Sequence, residues 1–337
     1  IISILTVPIF TRYLTVSDYG ILAIYGLFGG TLINILSIGM TSSSVMFYHK
    51  LDSKDFNSLN FTNVVFMLSL FSFGGYLLTY VDDFIVKEIF DNKISKDVIY
   101  YSYYYAILFK IYSHFNVQFI HQKRAKLHFI FSLTFTVLFT IVSLVLLIYF
   151  SQGLYSRIFG GFVVLFILTP FMIFSQRKFL SLLFSLKKLK RSLLYSYPYL
   201  PGSIVNTVND SFDKTMLTNF KGTTDVGYYQ IAQQVSQINS QFINVLQTVF
   251  APFFLENSQN LDKEKTRLIV DRYHEIIVLF NFVCFGTCLF GHEMIIILTT
   301  KEFYFAAQLI PIIIASSFFA FITGTISKPQ LMISEKL

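Results

Sequence analysis

Two stretches of the chain carry one pattern: YLTVSDYGILAIY from Tyr13 to Tyr25, and FKGTTDVGYYQIA from Phe220 to Ala232. In each, an aromatic residue is followed by four residues, an Asp, one more residue and a Gly. Asp18 and Asp225 stand 207 positions apart (225 − 18). Each stretch follows one hydrophobic segment and opens a longer one. Asp18 is expected to cap the coming helix by accepting from its free backbone amides, and Gly20 to permit a tight turn. A hinge written twice predicts a duplicated set of helices.

Composition decides what kind of helices these are. Of 337 residues, 54% are hydrophobic and only 13% charged, against about 25% charged in soluble domains. There are 40 Phe and 21 Tyr but no Trp. Apolar runs long enough for the ~30 Å hydrocarbon layer recur along the whole chain. The reading is an all-α, polytopic transmembrane bundle. The net charge of +7 could suggest nucleic acid, but membrane proteins collect basic residues in cytoplasmic loops, so no nucleic-acid partner is expected. Cys284 and Cys288, at i and i+4 of one apolar run, read as packed thiols and not as a metal site or disulfide.

Ten spans follow from the apolar runs: about 1–10, 20–47, 61–80, 98–120, 127–150, 158–174, 199–220, 227–250, 276–298 and 303–327. The first, about 15 Å long, is too short to cross, and no Met opens the chain. The chain is therefore expected to start inside a helix and to lack its last helices. Lys123, Arg124, Lys126, Arg177, Lys178, Lys187, Lys188, Lys190, Arg191 and Arg267 crowd one set of alternate loops, which places that set in the cytoplasm and both Asp-Gly hinges outside. Six spans separate the hinges. The expected domains are an N-terminal lobe at 1–175, a basic amphipathic linker at 176–198 and an incomplete C-terminal lobe at 199–337. The two lobes are six-helix bundles related by a parallel repeat, an arrangement that puts a substrate path between them. The linker sequence RKFLSLLFSLKKLKRSLL either lies along anionic inner-leaflet lipid or merely connects.

At these motifs the chain resembles the polysaccharide and O-antigen flippases of the multidrug/oligosaccharidyl-lipid/polysaccharide exporter superfamily. The resemblance rests on VPIFTRYLTVSDYGILAIY, LSIGM around Gly39, YPYLPGSIVNTVNDSFDKTML, FKGTTDVGYYQIAQQV, APFFLEN and KEFYFAAQLIPIII, in this order. It implies twelve or more helices in two lobes. It also implies translocation of a polyprenyl-diphosphate-linked oligosaccharide across the bacterial inner membrane by alternating access, for O-antigen, capsule or exopolysaccharide synthesis. A polymerase and glycosyltransferases of the same pathway are the protein partners it suggests.

The residues can be asked whether they suit such cargo. Span eight carries Gln230, Gln234, Gln237, Gln241, Asn244 and Thr248 at steps of 4, 3, 4, 3 and 4, so all six share one helix face. A lipid-facing amide row is costly, so the face lines water or packs on polar partners. Span four carries Lys110, His114, Gln118 and His121. Lys110 sits about 17 Å into its span, where a lysine costs about 2.5 kcal/mol or more and invites either a protein carboxylate or a diphosphate. Asp210 and Asp213 in span seven are candidate counter-ions or coupling sites for H+ or Na+, with Asp210 and Lys214 also spaced to pair at i, i+4. Asn34, Thr41, Ser44 and Tyr48 extend a polar face along span two. The run YYSYYYA from Tyr100 to Ala106 reads first as an interfacial aromatic belt, and Asp82, Asp83, Glu88, Asp91 and Asp97 as solvated surface.

No phosphate loop, HExxH, Gly-x-Ser-x-Gly or acidic DxD cluster occurs on a loop, so no enzyme, metal or cofactor is expected. Two alternatives stand beside the flippase. A cation-coupled drug exporter of the same superfamily would want a smaller, more aromatic pocket. A membrane-embedded glycan polymerase or ligase would want a large outer loop with catalytic Arg or His, and the longest outer loop here is only 81–97.

Overall fold

The computed structural model describes residues 2–257 and 263–327 and is helical throughout, with no strand among the described residues. Among the described residues twelve α-helices follow in order: α1 (Ile2–Tyr13), α2 (Val16–Leu36), α3 (Met40–Tyr48), α4 (Ser53–Phe84), α5 (Lys96–His121) and α6 (Ala125–Ile148). Then come α7 (Tyr155–Ser175), α8 (Leu186–Ser196), α9 (Leu200–Phe220), α10 (Thr223–Asn257), α11 (Lys263–Leu298) and α12 (Ile310–Phe321). Among the described residues, six stretches are long and apolar enough to cross a membrane by length and composition. Their outward faces carry bare Phe129, Phe166, Phe171, Phe282 and Phe285, as acyl chains require. This is a multi-pass membrane protein.

Span two departs from the single helix its hydropathy suggests. Ile38 (φ 43°) and Gly39 (φ 63°) are left-handed and split it into α2 and α3. Gly39 can take that conformation without a Cβ penalty, and its carbonyl accepts from Ser196 Oγ at 3.0 Å at the end of α8. The break thus docks the linker helix. Further docking comes from Lys188 Nζ on Asp55 at 2.9 Å and the Arg191 guanidinium 4.6 Å over the Phe47 ring.

The chain forms two compact units. One comprises Ser3–Val16 with the chain from Tyr228 onward, the other Ser17–Gly227. The repeated hinges both start their helices at the same place, with Asp18 and Asp225 each third in its helix, in the first turn of α2 and α10. A carboxylate there complements the positive helix end by about 0.3–1 kcal/mol. Gly20 does not make the turn. It is helical, and a Cβ on it would sit 1.8 Å from the Thr223 carbonyl oxygen and 3.2 Å from the Gly227 amide nitrogen. The left-handed turn of the second hinge belongs to Gly222 (φ 104°) instead. Gly20 is there because two helix starts touch backbone to backbone, and Ser17 Oγ and Thr223 Oγ1 seal the contact at 2.7 Å.

In the 17–227 unit, aromatic side chains fill the core around Phe71, Tyr103, Phe115 and Phe119. The tyrosine run belongs largely to this core. Tyr103 is buried against Gly75, and the Tyr101 ring packs on Tyr155, Phe159 and Phe162, while Tyr104 remains exposed. Asp82 is likewise buried, accepting from the Tyr100 hydroxyl at 2.9 Å and pairing with Lys96 at 3.2 Å. Hydropathy alone treats such residues as surface because it cannot see a partner one helix away. In the other unit, Phe280 stacks on Phe321 with centroids 4.3 Å apart, and Phe250 packs on Tyr273 at 4.7 Å. Cys284 is buried and Cys288 exposed, both free.

Candidate functional site

The polar residues of α5 recur at helical spacing on its inner face, and α3 and α4 meet that face with complementary groups. Asn60 and Gln118 form a reciprocal amide pair, at 3.2 Å and 2.7 Å. His114 Nε2 lies 3.0 Å from Asn60 Oδ1, and His114 Nδ1 lies 3.1 Å from the Thr41 hydroxyl. Asn60 Oδ1 can only accept and the Gln118 amide nitrogen, 2.9 Å from the same Nε2, can only donate, so Nε2 sits between an acceptor and a donor. Asn63 Nδ2 donates to Ser44 Oγ at 2.9 Å, and Asn60 Nδ2 also reaches the Phe179 carbonyl at 3.2 Å. His114, Asn60 and Asn63 are fully buried and Gln118 nearly so. Two of the expected path residues, His114 and Gln118, are therefore joined in one dry network. Asn60 completes it and Asn63 ties α4 to α3 beside it, and neither is in the sequence reading. Their signal was available: two Asn at i, i+3 within an apolar run are expensive unless answered.

Lys110 lies one turn from His114 on the same helix and is 9% exposed. Among the described residues its ammonium has no hydrogen-bond or ion-pair partner. Asp82, Asp83 and Asp91, by contrast, each pair with a lysine. A buried cation without a carboxylate is costly unless an anion arrives. The proposed counter-ion Asp210 lies, by its side chain, outside the described residues, as does Thr248. Asp213 is exposed and makes an interaction of its own, as does Lys214.

The fold and the site can now be set beside known proteins. A sequence model described as "Polysaccharide biosynthesis protein" matches residues 9–308. The chain belongs to this family. No curated protein matches it. Among solved structures it is similar to one titled "Inward-facing conformation of a multidrug resistance MATE family transporter of the MOP superfamily". That likeness has a TM-score of 0.71 at 11% identity and covers 95% of this chain and 79% of the other. At that identity it speaks for the fold.

In this polysaccharide biosynthesis protein the second polar face, on α10, has a different character. Gln237, Gln241 and Asn244 are exposed, while Gln230 and Gln234 are half-buried. The opposite side of α10 is packed: Ile231, Val235 and Ser236 are buried, and buried Asn239 accepts from Thr287 Oγ1 at 3.2 Å. Gln247 reaches Thr325 Oγ1 at 3.5 Å. The amide row is thus uncovered at Gln237 and Gln241 and half-buried at Gln230 and Gln234. Asn34 of α2 donates to Thr207 Oγ1 of α9 at 3.1 Å, and Thr31 meets Ser211 at 3.3 Å one turn along. That α2–α9 seam is a contact of Asn34 the sequence alone did not name. No group of three or more His, Cys, Asp or Glu suited to a metal occurs among the described residues.

Proposed function

We propose that this protein moves a polyprenyl-diphosphate-linked oligosaccharide repeat unit from the inner to the outer leaflet of the bacterial inner membrane by alternating access. Family membership supports the glycan pathway. The observation that carries the transport reading is Lys110: a cation nine-tenths buried at mid-span, with no protein anion paired to it among the described residues. A diphosphate supplies what the lysine lacks, and the exposed amides of α10 offer hydrogen bonds to sugar hydroxyls. Asp210 and Asp213 are the groups we assign to H+ or Na+ coupling. Basic α8, with Lys187, Lys190 and Arg191 exposed beside bare Leu186 and Leu194, suits anionic lipid.

The test is glycan export in cells carrying Lys110→Ala or Lys110→Arg. Alanine should abolish export at normal expression, and arginine should retain part of it, since both cations meet phosphate. Normal export by the alanine variant would overturn the reading. Drug resistance unchanged by deletion of the protein would separate this cargo from that of a drug exporter.

A further inference from the structure

Between α7 and α8, residues 180–185 form no helix, and their burial is inverted: side chains out, backbone in. Leu182 is 87% exposed and Leu183 69%, and Phe184 and Leu186 are bare beside them. The backbone is held by the first turns of α4. Asn57 Nδ2 donates to the Lys178 carbonyl at 2.9 Å, Asn60 Nδ2 to that of Phe179 at 3.2 Å and Ser58 Oγ to that of Leu183 at 2.8 Å. In return the Ser181 amide donates to the Asn57 carbonyl at 3.3 Å and the Ser185 amide to Thr62 Oγ1 at 3.1 Å. The leucines therefore stand on a pinned loop, and the whole joint lies in the 17–227 unit.

What covers them follows from depth, backbone and charge. Asp83, near the outer end of α4, is exposed. Counted back from it at 1.5 Å per residue, the ~30 Å hydrocarbon layer ends about 20 residues away, at Asn63. Ser58 and Thr62 thus hold the loop at the inner edge of the hydrocarbon. A segment without helix enters lipid only where protein answers its polar backbone, and here three carbonyls and two amides are answered. Residues 176–198 hold six basic residues and no acidic one. Asp55 pairs with Lys188, while Arg177, Lys178, Lys187 and Lys190 stay exposed on both sides of the leucines. Apolar side chains between exposed cations match an anionic leaflet, whose hydrocarbon takes the leucines and whose headgroups meet the cations.

We propose that residues 182–186 insert into the inner leaflet, with Lys178, Lys187 and Lys190 on the headgroups of anionic phospholipid. The linker is then a membrane anchor, and Ser196 on the Gly39 carbonyl ties it to the break between α2 and α3. Its anionic preference rests on the lipid contact read for α8 above. Insertion of the loop does not, and neither depends on the cargo.

The chain has no Trp, so a single introduced Trp reports its own surroundings. Leu182→Trp in the loop and Leu194→Trp on α8 are the reporters, each in the full chain purified into phosphatidylcholine nanodiscs containing phosphatidylglycerol. Both replace exposed residues, and unchanged thermal unfolding checks their folding. At a depth of about 5–10 Å, the Leu182→Trp emission should be blue-shifted, lose about half or more to acyl-chain bromines and be spared by aqueous acrylamide. At equal low mole fraction, brominated phosphatidylglycerol should quench it about threefold more than brominated phosphatidylcholine, and adding Lys187→Gln with Lys190→Gln should abolish that difference.

Water-like emission from Leu182→Trp, quenched by acrylamide and untouched by bromine, overturns the insertion and leaves the leucines to a soluble partner. That result together with bromine quenching of Leu194→Trp removes the loop and keeps the α8 contact. Insertion with equal quenching by both lipids overturns the anionic preference, and the α8 reading with it, while the anchor stands. The Lys110 reading is tested separately, by export.

Discussion

The inner face of α5 and the amide row of α10 look alike on paper: polar side chains at helical spacing inside apolar runs. They end in opposite circumstances. His114 and Gln118 are walled in and answered by Asn60 and Thr41, whereas Gln237 and Gln241 stand uncovered. A polar stripe within a membrane span is therefore two things at once. Where a neighbour presents matching groups it is a structural joint, and where none does it is a wall awaiting something wet. The difference also isolates Lys110, which shares the α5 face with the joint and none of its partners.

The largest expected break of this contrast comes from Asn60→Ala. It strands both His114 and Gln118 in a dry seam, each worth about 1–3 kcal/mol when left unpaired, so a loss of about 4 kcal/mol is expected. Thermal unfolding in detergent reads it, and a loss below about 1 kcal/mol would mean the seam is wet. Gly20→Val comes next. Its added carbons collide with the Thr223 carbonyl, backbone that cannot swing aside, and about 3 kcal/mol should be lost. Thr41→Val removes the hydroxyl that meets His114 Nδ1 and should cost about 1 kcal/mol, sharpening the account of how far the joint extends.

At the small end, Gln237→Ala and Gln241→Ala should move stability by no more than about 0.5 kcal/mol while reducing export. In a background without Cys284 and Cys288, Cys at 237 and 241 should label rapidly with a water-soluble thiol reagent. Cys at buried 231 and 235 should label slowly. Equal labelling at all four would erase the distinction between wall and joint.

How much of this was legible beforehand varies with how local the cause is. The hydrophobic segments fall on helices, span two on a broken pair, because run length is a property of the segment itself. The paired Asp-x-Gly hinges occupy matching helix starts for the same reason. Gly20 was misassigned to a turn because a glycine needed for close backbone approach and one needed for positive φ are identical letters. Gly39 hid its helix break inside an apolar run. Sequence alone reads Asp82 as solvated surface and cannot see how the tyrosine run packs, because their neighbours, Lys96 and Gly75, lie on other elements or turns.

By itself, then, the order of residues determined that this is a helical membrane protein, where its helices run and which side chains share each face, because length and 3.6-residue periodicity act within one segment. Which polar face becomes a sealed joint and which stays open was decided only by tertiary structure. Asn60 lies 54 and 58 residues from the His114 and Gln118 it satisfies, and hydrogen bonds across such separations exist only once the chain has folded them together.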